Sequence, residues 1–201
     1  MNVSLEMKGF GKLQALMNAL GPSNRQRLNA VGAKALEVRV RSHVARIAPT
    51  RHGSANRLGA SPTGHYLKGL RGIAGHATAD GGDVVIPIAG ISRAFHDVEI
   101  KPVRANRLTI PINAISYGHT ARELRSRGWK FFQGPVGHDS ELILFGYKGK
   151  GKKKVVKPMF RIKTIVLQDK DPTLLPSQAE CARVVCTAMT AEVNRRIRNA
   201  R

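Results

Sequence analysis

Six lysines fall within ten residues, Lys148, Lys150, Lys152, Lys153, Lys154 and Lys157, the densest charge in the chain. Two chemistries fit such a run. As an exposed loop tip it is simply solvated and blunts a hairpin. As a contact it grips phosphates by charge and reads no sequence, because lysine is a point charge with no fork geometry. No aromatic residue is interleaved in the run, which counts against base stacking with a single strand. A second positive cluster, Arg195, Arg196, Arg198 and Arg201, ends the chain.

Residue types that do covalent or metal chemistry are present without the spacing that chemistry needs. The seven histidines (43, 52, 65, 76, 96, 119 and 138) make neither HExxH nor a Cys/His knuckle. They scatter through loops and basic stretches, so even His52 and His65, close in sequence, read as surface histidines. Cys181 and Cys186 stand five apart in a helical stretch, which does not align them on one face; they read as a pair of buried thiols. Asp80 with Asp83, and Asp169 with Asp171, sit in turn-like contexts where aspartate bonds its own backbone. There is no G-x-S-x-G, and Gly149 and Gly151 lack the Ser/Thr that would complete a phosphate loop. Nothing in the sequence supports an enzyme, a metal or a cofactor.

Composition narrows the partners. Lys+Arg 34 against Asp+Glu 13 gives +21, a charge that opposes compaction and favours an anionic partner: nucleic acid, an acidic protein surface or an anionic membrane. No run approaches the ~20 apolar residues of a membrane span, and MNVSLEMKGFGK lacks the apolar core of a signal peptide. The expected site of synthesis is therefore the cytoplasm, with no membrane partner. The apolar fraction of 42% allows a folded core, and aromatics at 5% leave that core to aliphatic residues.

The elements that must carry these residues can be read from periodicity. Residues 3–7 alternate like a short strand, and Phe10, Leu13, Met17 and Leu20 mark an amphipathic helix closed by Gly21-Pro22. Ser23 or Asn24 can cap a second helix to about Ala48, with Leu36, Val40, Val44 and Ile47 as its stripe and Pro49 as its stop. Residues 50–65 form a long turn-rich loop with Arg51 and Arg57. Tyr66–Ala77 is ambiguous, because Gly69, Gly72 and Gly75 argue against a stable helix. Strands are expected at 84–88, 130–132, 141–147 and 159–167, one or two helical turns at 117–128, and the lysine run as a hairpin tip at 148–157. A last helix carries Ala182, Val185, Met189, Val193 and Ile197 on its apolar face. The order is N-terminal helices, a central mostly antiparallel sheet with extended hairpins, and a C-terminal helix: one α+β domain over 1–201.

The segment Ile91–Ile112 is the most informative. Val98–Lys101 and Arg107–Ile112 have period two and flank a short polar connection, as an edge hairpin would. Pro102 and Pro111 cannot donate to a ladder, so these strands are expected to lie at a sheet edge or to leave it there, and an edge is where another copy of the chain can add on. Ile100, Lys101, Pro102, Arg107, Leu108 and Ile110, with Arg51 and Arg57, are the candidate subunit-interface residues. The lysine run with Arg195, Arg196 and Arg198 is the candidate contact to DNA or an acidic partner.

Four blocks resemble one family. They are VSLEMKGFGKLQALMNAL; Ile47–Arg51 running into HGSANRLGASPTGHY; IKPVRANRLTIP with Ala114–Gly118 and Ala121–Glu123; and Pro158–Ile162 with Asp171–Pro176. Together they span most of the chain, and the third is the most specific. The likeness is to the virion-morphogenesis or tail-completion proteins of Mu-like and lambdoid tailed phages. Asp97-Val98 stands where that family often has Gly-Gly. The resemblance implies a non-enzymatic part of the neck or upper tail, a homo-oligomeric ring that meets connector and tail proteins and faces the DNA passing through it. Its place would be the virion, after assembly in the host cytoplasm. The alternative, from charge alone, is a sequence-nonspecific double-stranded nucleic-acid binder.

Overall fold

Leu28, Leu36, Val40 and Val44 recur at the spacing that one face of an α-helix brings together. The computed structural model describes residues 2–3, 22–51, 53–103, 105–136 and 141–199. Among them, five α-helices occur in order: α1 (Pro22–Ile47), α2 (Gly53–Leu58), α3 (His65–Gly69), α4 (Ala121–Ser126) and α5 (Gln178–Asn199). The strands are β1 (Asn2–Val3), β2 (Ala74–Ala77), β3 (Gly82–Val85), β4 (Val98–Ile100) and β5 (Leu108–Pro111). They continue with β6 (Lys130–Val136), β7 (Glu141–Lys148), β8 (Val155–Lys163) and β9 (Val166–Gln168). The fold is α+β, with antiparallel strands between the helices at either end. The strand expected at 4–7 and the helix expected at 10–20 lie outside the described residues.

The described residues pack as two compact units, where periodicity alone suggests one domain. The first draws on Met1–Pro49, Gly64–His96 and Lys170–Arg201, the second on Thr50–Thr63 and Asp97–Asp169. In the first, Leu36, Val40 and Val44 of the expected α1 stripe are buried and Ile47 is half-buried, and α5 packs on them through Val185 and Met189. Gly32 is the close point of that crossing: a Cβ there would lie 3.0 Å from Met189 Sδ. Cys181, one turn before Val185, is buried too, and Cys186 is half-buried; both are free thiols that burial pushes up in pKa. Ile197, expected on the apolar face of the helix, is exposed instead.

Against α1 lies a three-stranded antiparallel sheet in the order β1-β3-β2. The segment 66–77 resolves into α3, a 3-10 turn at Leu70–Gly72 and β2. Its three glycines are there for room. A Cβ on Gly69 would sit 2.5 Å from Ile88 Cγ1, one on Gly72 2.5 Å from Pro87 Cγ, and one on Gly75 2.8 Å from the Ala33 carbonyl oxygen. Backbone cannot yield as a side chain does. Gly75→Ala is therefore expected to lower stability by about 1–3 kcal/mol, seen as a fall in the thermal midpoint, whereas Gly81→Ala, with open space around it, leaves the midpoint in place.

Two buried polar side chains tie the unit together. Asn29 donates to Thr78 O at 2.9 Å, holding the β2–β3 turn to α1. His43 of α1 is buried, with Nε2 3.0 Å from Thr173 O and Nδ1 3.3 Å from the Arg46 guanidinium. With Nε2 donating to Thr173 O and Nδ1 accepting from Arg46, the ring satisfies both partners.

The second unit holds a four-stranded antiparallel sheet, β5-β8-β7-β6, and a separate two-stranded ribbon, β4-β9. Its core is small: Leu124, Met159 and Phe160, with Ile115, Ala121, Trp129, Phe131 and Leu144 packed against them. Leu124 reaches that core from α4, which a capping box starts: Thr120 Oγ1 accepts from Glu123 N, and Glu123 accepts from Thr120 N at 2.8 Å. Bonding of the carboxylate to the Thr120 backbone N–H, and then to the Thr120 side chain, holds the Glu123 carboxyl below the usual range. Asn113 clamps the turn after β5 by donating to Pro158 O and accepting from Ile115 N and Ser116 N.

Two expectations change here. Val98–Ile100 and Leu108–Pro111 are both strands, but they are not a hairpin: β4 pairs with β9 (Glu99 opposite Leu167) and β5 with β8 (Ile110 opposite Arg161). Their connection contains neither glycine nor an Asn-Gly or Asp-Gly pair, so nothing favours the tight primed turn a hairpin wants. The long loop at 50–65 is helical over Gly53–Leu58.

Candidate interaction surfaces

The lysine run is the tip of the β7–β8 hairpin, with Lys148 opposite Val155 as the last pair. Gly149 (φ 92°) and Gly151 (φ 55°) take the left-handed conformations the reversal needs, and Gly151–Lys153 makes a 3-10 turn. The six lysines are not equivalent. Lys148 Nζ donates to Arg127 O at 3.0 Å, and Lys154 Nζ stands 4.6 Å above the Tyr147 ring. Lys150, Lys153 and Lys157 are exposed, and Lys152 lies in the turn between them.

The C-terminal arginines are more occupied than their number suggests. Arg195 makes a bidentate pair with Glu192 at 2.8 and 2.9 Å, and Arg196 bonds Glu192 at 2.7 Å and Asn24 Oδ1 of α1 at 3.2 Å. Bonds from Arg195 and then Arg196 push the Glu192 carboxyl down to about 2. Arg196 thus fastens α5 to α1, and Arg198 is exposed. Lysine tip and arginine cluster belong to different units.

The interface candidates are split in the same way. Ile100 ends β4 of the ribbon, and Lys101 and Pro102 come directly after it, with Lys101 bonded to Glu99 at 3.0 Å. Leu108 and Ile110 lie on β5, an edge of the four-stranded sheet, where Leu108 is half-buried, and Arg107 is exposed just before it. Arg51 is half-buried after the α1 region, and Arg57 is exposed on α2.

Sequence reasoning misses two features. Leu167 is 74% exposed on β9 and Ile100 is exposed on β4. Ile165 just before β9 and Val103 (96%) after β4 are exposed too, so the ribbon and its flanks show apolar side chains to solvent. By periodicity Ile165 and Leu167 end one long strand; in the structure that strand breaks at Thr164–Ile165, and the signal available is the odd density of β-branched residues there. The other feature is an aromatic cluster, Phe132, Phe145 and Tyr147, beside the lysine tip. Among the described residues, no three His, Cys, Asp or Glu gather as a metal site would need, and no helix is long and apolar enough to cross a membrane. Comparison with protein-family models, curated proteins and solved structures returns no match for this chain.

Proposed function

We propose that the chain is a structural, non-enzymatic subunit of a tailed-phage neck or head-proximal tail end, assembling as a homo-oligomeric ring within the virion. The observation that carries the assembly part is the β4–β9 ribbon. A lone two-stranded ribbon is marginal in water, yet this one leaves Leu167 and Ile100 exposed, with Ile165 exposed just before β9. Both its strands have an unpaired edge within their sheet, which is where a neighbouring chain adds a strand. A contact of this kind joins one patch to a different patch on the next copy, and it closes into a ring when the rotation allows. The choice of a phage neck rests on the likeness of the four sequence blocks. The charge of +21 suits acidic neighbouring rings and the DNA they enclose.

Mass photometry and sedimentation velocity test the proposal. The expected result is a discrete ring, alone or with connector and tail-tube proteins, that Leu167→Glu returns to monomers while the circular dichroism spectrum is kept. A chain that stays monomeric alone and with both partners overturns it.

A further inference from the structure

We propose that the solvent face of the four-stranded sheet, beside the lysine tip, is a stacking platform for single-stranded nucleic acid. The inference goes beyond the assembly role and stands on different residues.

Strand alternation sorts the two faces. Phe131, Leu144 and Phe160 point into the core. Gly146 lies on that same side, since a Cβ there would meet Met159 at 2.8 Å and Phe131 at 3.2 Å. Phe132, Phe145 and Tyr147 therefore share the opposite face. Their rings are in contact: Phe132 and Phe145 are 5.4 Å apart between centroids with planes 14° from parallel, and Phe132 and Tyr147 are 6.1 Å apart. Phe132 is 44% exposed, and Val156, the register partner of Tyr147, is exposed as well.

Cross-strand aromatic pairs stabilise sheets without any ligand, but that account leaves the cations unexplained. Lys130 is the register partner of Tyr147 on β6, and Lys154 stands over the Tyr147 ring. Lys150 and Lys153 lie further out at the tip. Among the described residues, no carboxylate is paired with any of these four lysines, in contrast to Lys34 with Glu37 and Lys101 with Glu99. Exposed rings next to uncompensated lysines match a ligand that carries flat π-faces and phosphates together. Duplex DNA presents the phosphates but keeps its bases stacked inside, so it would engage the lysines and leave Phe132 unused. An acidic peptide would meet the charge and offer nothing parallel to the Phe132–Phe145 stack. Lysine has no fork, so the platform grips without sequence preference.

The test is fluorescence anisotropy at physiological salt on the full chain. The probes are a short labelled oligothymidylate, its duplex with oligoadenylate, and a base-free deoxyribose-phosphate chain of the same length. The single strand is expected to bind tightest. Phe132→Ala should weaken it about tenfold without changing the salt slope, and Phe132→Trp should restore it. Lys150→Ala and Lys153→Ala should each lower the salt slope by about 0.7. An unchanged Trp129 fluorescence spectrum checks that each alanine variant keeps its core, and an unchanged far-ultraviolet circular dichroism spectrum does so for Phe132→Trp. The platform is refuted by a duplex or base-free chain that binds as tightly as the single strand, by an affinity that ignores Phe132→Ala, or by no binding of oligothymidylate.

Discussion

Phe160→Ala is expected to lower the stability of the second unit by about 3–5 kcal/mol, the range for deleting a buried phenylalanine. Phe160 is 1% exposed and lies at the centre of a core with two other fully buried residues, Leu124 and Met159. Its ring is 6.2 Å from that of Phe131, and its backbone sits between Pro111 on β5 and Leu144 on β7. A core this small has little to collapse into the space left behind, so the cavity term stays close to its full size. Phe160→Leu keeps most of the volume and should cost less than half as much. The measurement is urea unfolding tracked by the fluorescence of Trp129, the one tryptophan of the chain, which packs against this cluster. A midpoint that does not move on Phe160→Ala would show that the four-stranded sheet is held by something other than this core.

How much of the molecule is legible in its sequence depends on how local the deciding physics is. The stripe of α1 can be read directly because Leu36, Val40 and Val44 express one period within one helix, and all three are buried. The box that starts α4 is similarly local, at Thr120 and Glu123. The pairing of β4 and β5 is not legible, because both strands are satisfied by partners 49 to 70 residues downstream, and period two says nothing about which strand lies opposite. The glycines at 69, 72 and 75 look like helix breakers; they are close approaches to Ile88, Pro87 and Ala33, visible only once the fold is assembled. Of the candidate surfaces, the lysine hairpin tip is legible from composition and spacing. The aromatic face is not, since Phe132, Phe145 and Tyr147 meet only through the β6–β7 register, and the run itself contains no aromatic residue. A count of the C-terminal arginines overstates their free charge, because Glu192 is one turn before them and pairing depends on side-chain reach.

Glu37 carries the second large effect, and it carries a pH dependence. It is the one acid in α1, it is buried, and it faces three donors: Lys34 Nζ at 2.8 Å, the Gly75 backbone N–H at 3.1 Å and the Arg41 guanidinium at 3.2 Å. The Gly75 bond joins α1 to β2. The Lys34 bond, then the Gly75 N–H and the charge of Arg41, hold the Glu37 carboxyl below its usual range, and burial only partly opposes this. Because the folded pKa is depressed, the ionised form stabilises the fold at every pH above the unfolded value, and that contribution is lost as pH falls through the folded value. Glu37→Leu removes the charged acceptor and leaves the Gly75 N–H without its partner, at a cost of about 3 kcal/mol at neutral pH. Glu37→Gln keeps a carbonyl for Gly75 and forfeits only the charge; Lys34 is well exposed and returns to water, so the cost should be about half as large. In urea unfolding at neutral pH the order of midpoints should be wild type, Gln, Leu. On acidification below the ordinary glutamate pKa of about 4.3, the wild type should converge on the Gln variant while the Leu variant stays below both. A gap between wild type and Glu37→Gln that is constant from neutral to acid pH would show that the Glu37 charge contributes nothing to holding α1 on the sheet.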